Sequence, residues 1–359
     1  MRVSLDRMLE NLGWDPFFAA QVADDDPTLF HARVVAEHRG AYRILGERPE
    51  MWGAVSGRVR RDAGDPSELP AVGDWVAVGT AAGAARAPIQ RVLRRRSAFT
   101  RKAAGQDTAQ VVAANVDVVF VVSSLNSDFN PRRLERYLTL AWNSGASPVV
   151  VLSKADLCDD ADAVRDAVVR IAIGLPVHIV SARAGRGLEE LRAHLGAGRT
   201  GVLLGSSGVG KSTLVNVLGG RAVQEVRETL ADDRGVHTTT ARQLLLLDGG
   251  GMLIDTPGMR EVGLVGDEAG LGRAFGDVTE VLAACRFSDC RHQTDPDCAV
   301  TAALASGALP AERWESYCKL QREIAYQATR EDPQQARSAK AHAKQVHRDL
   351  RDLYKHRRR

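Results

Sequence analysis

The stretch Val202-Leu203-Leu204-Gly205-Ser206-Ser207-Gly208-Val209-Gly210-Lys211-Ser212-Thr213 decides how the chain is read. Residues 205–212 satisfy G-x-x-x-x-G-K-[ST], after a short apolar strand and before the apolar helical pattern that begins at Thr213. That strand–loop–helix context is what a phosphate-binding loop requires. Glycines let backbone N–H groups turn inward around phosphate oxygens, and the helix N-terminus adds its positive end. Lys211 is expected to reach the β- and γ-phosphates and Ser212 to coordinate Mg²⁺. About fifty residues downstream, Met252-Leu253-Ile254 delivers Asp255-Thr256-Pro257-Gly258. A carboxylate there can hold Mg²⁺ through water, and the Gly258 N–H can sense a γ-phosphate. About fifty residues upstream, the run Pro148 to Leu152 delivers Ser153-Lys154-Ala155-Asp156. A carboxylate at Asp156 can accept from both the N1–H and the N2 amine of guanine, a pair that adenine does not offer.

In a Ras-like GTPase the loop comes first, then Asp-x-x-Gly, then Asn/Thr-Lys-x-Asp. Here the base-reading motif precedes the loop, so the parts stand in rotated order, as in a circularly permuted GTPase. Ser153 occupies the position where most GTPases carry Asn or Thr, and its shorter side chain is expected to weaken the contact around the base. Ser181-Ala182-Arg183 follows the strand Val177 to Val180 and resembles the Ser-Ala-Lys motif that backs the base. Between loop and Asp255 lies Gly235-Val236-His237-Thr238-Thr239-Thr240, a segment from which one threonine is expected to bind Mg²⁺ and the γ-phosphate. Spacing does not choose between Thr238, Thr239 and Thr240. Met259 stands where a Ras-like enzyme has the Gln that orients the attacking water. A thioether cannot do this, so intrinsic hydrolysis is expected to be slow. His237 is a candidate to hold the water; the alternative is an imidazole exposed on a switch loop, or water ordered by a partner surface.

Working outward, residues 28–100 hold five short strand-like runs: Leu29 to Ala36, Tyr42 to Leu45, Trp52 to Val59, Asp74 to Val78 and Ile89 to Leu93. Five short strands punctuated by Gly, Pro and Asp fit a small barrel, with the OB-fold leading. A polar basic linker follows at Arg101 to Gln106. Strands then alternate with helices: Val116 to Val122, a helix opened by Asn130-Pro131, Pro148 to Leu152, helices near 160–172 and 187–195, and Val202 to Leu204. Alternation of this kind means a parallel sheet covered on both faces. Beyond residue 268 the chain reads as mainly helical around a cysteine cluster. The expected divisions are an arm over 1–27, a barrel over 28–105, a permuted nucleotide-binding domain over 110–275 and a helical zinc domain with a basic tail over 276–359.

Cys285-x4-Cys290-x-His292-x5-Cys298 offers three thiols and an imidazole, the donor set of a closed tetrahedral zinc site. Buried free cysteines are the alternative. Five cysteines in all, with three inside fourteen residues, fit a metal site in a reducing compartment better than a disulfide framework. No apolar run approaches a membrane span and the first fourteen residues lack a signal peptide's apolar core, so a cytoplasmic protein is expected, away from membranes. The net charge of +3 is small but unevenly spread. Arg86 to Lys102 holds seven basic residues and no acidic one; Arg337 to Arg359 holds nine against two. Two such stretches flanking a nucleotide domain favour RNA, the plainer reading being solvated basic faces.

With these residues in view, the chain resembles the ribosome-small-subunit-dependent GTPase family, RsgA (YjeQ). The resemblance rests on Val72-Gly73-Asp74-Trp75-Val76, Asn115-Val116-Asp117, Gly205 to Thr213, His237 to Thr240, Asp255 to Gly258 and the zinc ligands ending at Cys298-Ala299-Val300. It implies hydrolysis of GTP to GDP by a monomer that binds the 30S subunit and its 16S rRNA, is stimulated by the subunit, and acts late in its maturation. It also implies Mg²⁺ and one structural Zn²⁺. Ser153 and the basic tail after Arg330 depart from the family's pattern. Two rival readings are an ATP-using P-loop kinase, against which Asp156 argues, and an RNA-binding scaffold with a vestigial nucleotide site, to which Met259 lends weight.

Overall fold

The computed structural model describes residues 2–38, 40–80, 85–102, 109–126, 129–220, 242–255, 267–292 and 295–331. His237, Thr238, Thr239, Thr240, Gly258, Met259 and the basic tail lie outside the described residues. The chain divides into two compact units, Met1–Leu264 and Val265–Arg359. No described helix is long and apolar enough to cross a membrane.

The first unit begins with helices α1 (Arg2–Asn11) and α2 (Pro16–Ala19), the latter capped by Asp15, whose carboxylate accepts from Phe17 N. Five strands follow: β1 (Phe30–His38), β2 (Ala41–Gly46), β3 (Met51–Val55), β4 (Trp75–Val78) and β5 (Ala87–Val92). They pair in the order β1-β2-β3-β5-β4, and β4 returns to β1, which closes a barrel of OB-fold connectivity. Alternate residues Phe30, Ala32 and Val34 point inward with Tyr42, Ile44, Val76, Val78 and Ile89. The run Trp52 to Val59 is not a single strand. Pairing stops at Val55, because the Ser56 hydroxyl accepts from Val59 N and starts helix α3 (Gly57–Asp62). The turn before β4 needs Gly73: its φ is +95°, and a Cβ would lie 2.1 Å from the Ala114 carbonyl oxygen.

The stretch expected as a linker begins as a hairpin. Strands β6 (Ala98–Lys102) and β7 (Ala109–Ala114) pair antiparallel, so Arg101 and Lys102 belong to β6. Then come β8 (Val118–Ser124), α4 (Pro131–Asn143), β9 (Ser147–Ser153), α5 (Ala161–Val169), β10 (Val177–Ile179), α6 (Leu188–Ala193), β11 (Thr200–Leu204), a helix α7 over 211–220, β12 (Arg242–Leu246) and β13 (Met252–Asp255). Their sheet runs β10-β9-β8-β11-β13-β12, parallel except for β12. Leu188, Leu191 and Leu195 share one core with Leu214 and Leu218 of α7 and with Phe120, Val151 and Leu253 of the strands. β8 starts two residues later than the apolar run suggests. Asn115 takes a left-handed φ of 53°, and the Asp117 carboxylate accepts from Thr200 N before pairing begins.

Barrel and sheet are joined. β1 pairs with β4 over Phe30–Arg33, passes a bulge between Val34 and Ala36, then pairs with β12 through Ala36–Gln243 and Glu37–Arg242. Beside this junction Arg33 is 1 % exposed. Its guanidinium donates to the carbonyl oxygens of Gly73 (3.1 Å), Leu12 (2.5 Å) and Asn115 (3.0 Å), and Nη1 lies 3.3 Å from Met252 Sδ. Burial draws its pKa down to about 10, so it stays charged at neutral pH. Arg33→Met is expected to lower the unfolding free energy by about 3–5 kcal/mol, because the Leu12 and Asn115 carbonyls lose this buried charged donor, while the Gly73 carbonyl keeps a bond from Asn115 Nδ2. Urea unfolding checks this; a loss under about 1 kcal/mol would mean that Arg33 does not tie arm, barrel and sheet together.

Four residues of the basic run Arg86 to Lys102, Arg91, Arg94, Arg95 and Arg96, have partners within the protein. Arg95 binds the buried Asp74 carboxylate through two nitrogens, at 2.8 and 2.7 Å. Arg96 pairs with Asp15 and stacks on Phe17 and Phe18; Arg94 also lies over Phe17. Arg91 pairs with Asp25 at 2.5 Å. The N-terminal arm thus engages Arg91, Arg94 and Arg96, and charge spacing in the sequence cannot reveal such partners. The same arm builds a cluster around His31, whose Nδ1 is 2.8 Å from Glu47 and Nε2 3.2 Å from Asp25. Burial opposes protonation of His31, but the bonds and charges of Glu47 and Asp25 outweigh it and raise its pKa. A raised folded-state pKa contributes stability that is full below the unfolded value near 6.5 and fades as pH rises through the folded value. Wild type is therefore expected to lose stability relative to His31→Gln as pH climbs from about 6 to 8. Chemical denaturation at several pH values checks the slope; parallel curves would remove His31 as its source.

The second unit holds α8 (Glu268–Ala274), α9 (Gly276–Ala283), α10 (Ala299–Ser306) and α11 (Ala311–Glu331). Arg313 of α11 fastens α8 and α9. Its guanidinium binds Asp277 at 3.1 and 2.9 Å, donates to the Ala274 carbonyl at 2.9 Å and lies 4.1 Å from the Phe275 ring centre. The segment carrying α8, expected at the end of the nucleotide domain, sits in this unit.

Candidate functional site: a nucleotide cradle and a metal centre

Parallel β8, β9, β11 and β13 all end on one edge of the sheet, the edge at which ligands bind in open α/β folds. β11 is buried throughout and hands directly to Gly205. A side chain at Gly205 would meet the Val122 carbonyl oxygen at 2.3 Å, so only glycine lets the loop leave the sheet here. Lys211 folds back over the loop: Nζ donates to the carbonyl oxygens of Gly205 (2.6 Å) and Ser206 (2.5 Å). This turns two loop carbonyls toward the ammonium. Val209 packs into the core, while Ser212 and Thr213 open α7 on the exposed side. Ser207, Gly208 and Gly210 complete the loop between them. Asp255 closes β13, opposite Gln243 of β12.

The base-reading motif meets this loop directly. Ser153 is 3 % exposed, and its hydroxyl donates to the Val209 carbonyl at 2.6 Å. The short side chain thus bridges the two motifs, and the contact toward the loop is present despite the departure from Asn. Lys154 takes a left-handed φ of 58°, which turns the chain so that Ala155 N bonds the Val180 carbonyl. Asp156 then faces Ser181, whose hydroxyl donates to its carboxylate at 2.6 Å. That bond, first among its causes, holds the Asp156 carboxyl below its ordinary pKa, so the group is a permanent acceptor at neutral pH. Ser181 also accepts from Ala184 N, and Ala182 packs against the core. The weak Ser-Ala resemblance in the sequence therefore has a physical role, the orientation of Asp156. Sequence reading did not find Arg133, whose guanidinium donates to the Ser206 hydroxyl at 2.9 Å.

In the second unit, one ligand atom each from Cys285, Cys290, His292 and Cys298 lies within 4.8 Å of the others. His292 Nδ1 is 3.6 Å from both Cys285 Sγ and Cys298 Sγ. Ligands about 2.0–2.3 Å from a tetrahedral zinc are separated by about 3.6 Å (N to S), so the imidazole and these two thiols fit that ion. His292 reaches its place through a left-handed φ of 58°, and Trp314 sets its ring edge-on 5.7 Å away. Cys298 caps α10 and accepts from Thr301 N, which stabilises its thiolate. Asp295 and Asp297 bind Arg291 N and Arg286, and Cys158 and Cys318 stand apart, half-buried.

Comparison with known proteins adds to this geometry. Residues 92–265 match the RsgA GTPase family model. The chain is 47% identical to a protein of Opitutus terrae named small ribosomal subunit biogenesis GTPase RsgA, over 94% of this chain and 96% of that one. It is 44% identical to a Vibrio parahaemolyticus protein named small ribosomal subunit biogenesis GTPase RsgA 2, over 94% and 91%. The crystal structure of YjeQ from Thermotoga maritima matches with TM-score 0.61 and 28% identity, over 83% of this chain and 99% of that one. YloQ, a circularly permuted GTPase, shares the fold at 24% identity, TM-score 0.61, over 84% and 97%. An intact phosphate loop bridged to a base-reading motif that precedes it in the chain, a closed barrel, a Cys₃His centre and similarity along nearly the whole length agree: the chain belongs to the RsgA family of circularly permuted GTPases.

Proposed function

We propose that this chain hydrolyses GTP to GDP and phosphate on the small ribosomal subunit and assists the subunit's late maturation. The observation that carries the GTPase reading is the Ser153–Val209 bond together with the Asp156–Ser181 bond. It brings a guanine acceptor and a phosphate cradle to one edge of one sheet. In this reading the Gly205–Thr213 loop wraps the phosphates and Lys211 offsets charge developing on the β- and γ-oxygens. Ser212, Asp255 and one threonine among 238–240 would hold Mg²⁺, which supplies further charge neutralisation when bound. Lys154 packs over the base, and Gly258 reports the γ-phosphate. Water attacks the γ-phosphorus as its bond to the β–γ bridging oxygen breaks. Met259 cannot orient that water, so His237 or a ribosomal surface does.

The ribosomal part draws on what the relatives' names state, small ribosomal subunit biogenesis. The barrel, the zinc unit and the basic tail are the surfaces that would contact 16S rRNA, with the protein acting as a monomer. The test is GTP turnover with and without purified 30S subunits, with ATP as the control. Slow GTP turnover that rises with 30S, and none with ATP, is expected. Low turnover left unchanged by 30S would overturn the ribosome-coupled mechanism and favour the scaffold with a vestigial site.

A further inference from the structure

The first turn of α4 carries cations where a helix disfavours them. Asn130 caps the helix and Pro131 opens it; Arg132 and Arg133 follow, and the turn has no acidic residue. The positive end of the helix dipole opposes both arginines. Arg133 is half-buried, and its Nη1 donates to Ser206 Oγ at 2.9 Å. Tyr137, one turn further on, brings its hydroxyl oxygen to 3.4 Å from the same atom. With Val122, Ser123, Leu134 and Val209 they line a small cavity of about 10 Å³, on the scale of one water.

Ser206 is the second residue of the phosphate loop and one of its unspecified positions. The loop is nonetheless held there from two sides: Lys211 takes the Ser206 carbonyl, and Arg133 takes its hydroxyl. A loop that aims several N–H dipoles into one small space is self-repelling until a phosphate fills it. Groups behind the loop can offset that cost and keep the donors aimed before the ligand arrives.

We propose that Arg133 and Tyr137 are positioning residues for the phosphate loop, acting through Ser206 to preorganise it for nucleotide phosphates. The guanidinium also places a fixed positive charge behind the loop. This inference rests on the GTPase reading for its ligand. Its test uses binding without turnover, so a protein that bound GDP but hydrolysed no GTP would fail that reading and still decide this one.

The full-length protein is made as wild type, Arg133→Met, Arg133→Lys, Ser206→Ala and the double variant Arg133→Met/Ser206→Ala. Affinity for a fluorescent GDP, steady-state KM and kcat for GTP, and the thermal midpoint are measured for each. Loss of a hydrogen bond from a charged donor is expected to weaken GDP binding about tenfold in Arg133→Met. KM should rise by a similar factor, kcat should change less, and the thermal midpoint should stay near wild type. Lysine should restore part of the affinity. In the Arg133→Met background Ser206→Ala should cost less than it does in wild type, because both changes remove the Arg133–Ser206 bond and only the Tyr137 contact is left for the second change to remove. Wild-type GDP affinity in Arg133→Met, or effects that multiply in the double variant, would overturn the proposal. Should Arg133→Met fail to fold, Ser206→Ala decides: it removes a single hydroxyl, and unchanged GDP affinity there is equally fatal.

Discussion

Lys211→Ala is expected to cut GTP turnover by about a hundredfold to a thousandfold, the scale seen when one preorganised charge-stabilising donor is removed from a reacting centre. Two effects add. The ammonium that would sit against the β- and γ-phosphate oxygens is gone, and that interaction grows as negative charge gathers there. The loop also loses its internal clasp, because the same nitrogen holds the Gly205 and Ser206 carbonyls. The first effect falls on kcat and the second on binding, so both parameters should worsen. Arg133→Met should differ by moving KM more than kcat. Lys211 is half-buried and packs on the loop rather than in the core, so the fold should survive. Single-turnover hydrolysis at saturating GTP checks the prediction. A variant keeping more than about a tenth of wild-type rate would remove Lys211 from the chemistry.

The loop and the permuted order were legible because they are contiguous signals: an apolar strand, glycines at fixed offsets, a Lys-Ser pair and a helix. The barrel strands showed as short runs punctuated by Gly, Pro and Asp, and Phe30, Ala32 and Val34 of the first line the barrel core. What sequence reading missed depends on contacts between distant segments. Val55 ends a strand because Ser56 finds a helix start, although Trp52 to Val59 looks continuous. Three arginines of the basic run, Arg91, Arg95 and Arg96, pair with Asp25, Asp74 and Asp15, none of them close in sequence. The bond from the Ser153 hydroxyl to the Val209 carbonyl, fifty-six residues away, leaves no trace in the sequence. Arg133 left one trace, a cation in the first turn of a helix, which signals a tertiary partner but does not name it.

Removal of zinc is expected to unfold the second unit's metal loop and loosen the helices around it. Structural zinc sites contribute roughly 10–16 kcal/mol of apparent binding free energy at neutral pH, and that energy is folding energy. Among the described residues the larger buried apolar side chains of the unit are few: Leu271, Phe275, Val278, Val300, Leu309, Tyr317 and Leu320. The metal loop reaches this core through His292 against Trp314, and through Cys298 at the start of α10. Metal analysis should find one zinc per chain. A thiol reagent should leave Cys285, Cys290 and Cys298 unmodified until a strong chelator is added, and then label all three. Labelling of all three before chelation, with no zinc bound, would refute the metal centre.

The pairing of β1 with β12 bears on how this chain can be cut. A strand at a sheet margin presents a row of unsatisfied N–H and C=O groups that recruits other chains. In the intact protein the barrel covers part of the β12 margin, and the Glu37–Arg242 ion pair seals it. A fragment beginning after the barrel would bare that margin beside the site that binds nucleotide, and would also strip the Arg33 donor from the Asn115 carbonyl and the Met252 sulfur. The barrel is thus the GTPase sheet's own guard against self-association as well as a neighbouring module.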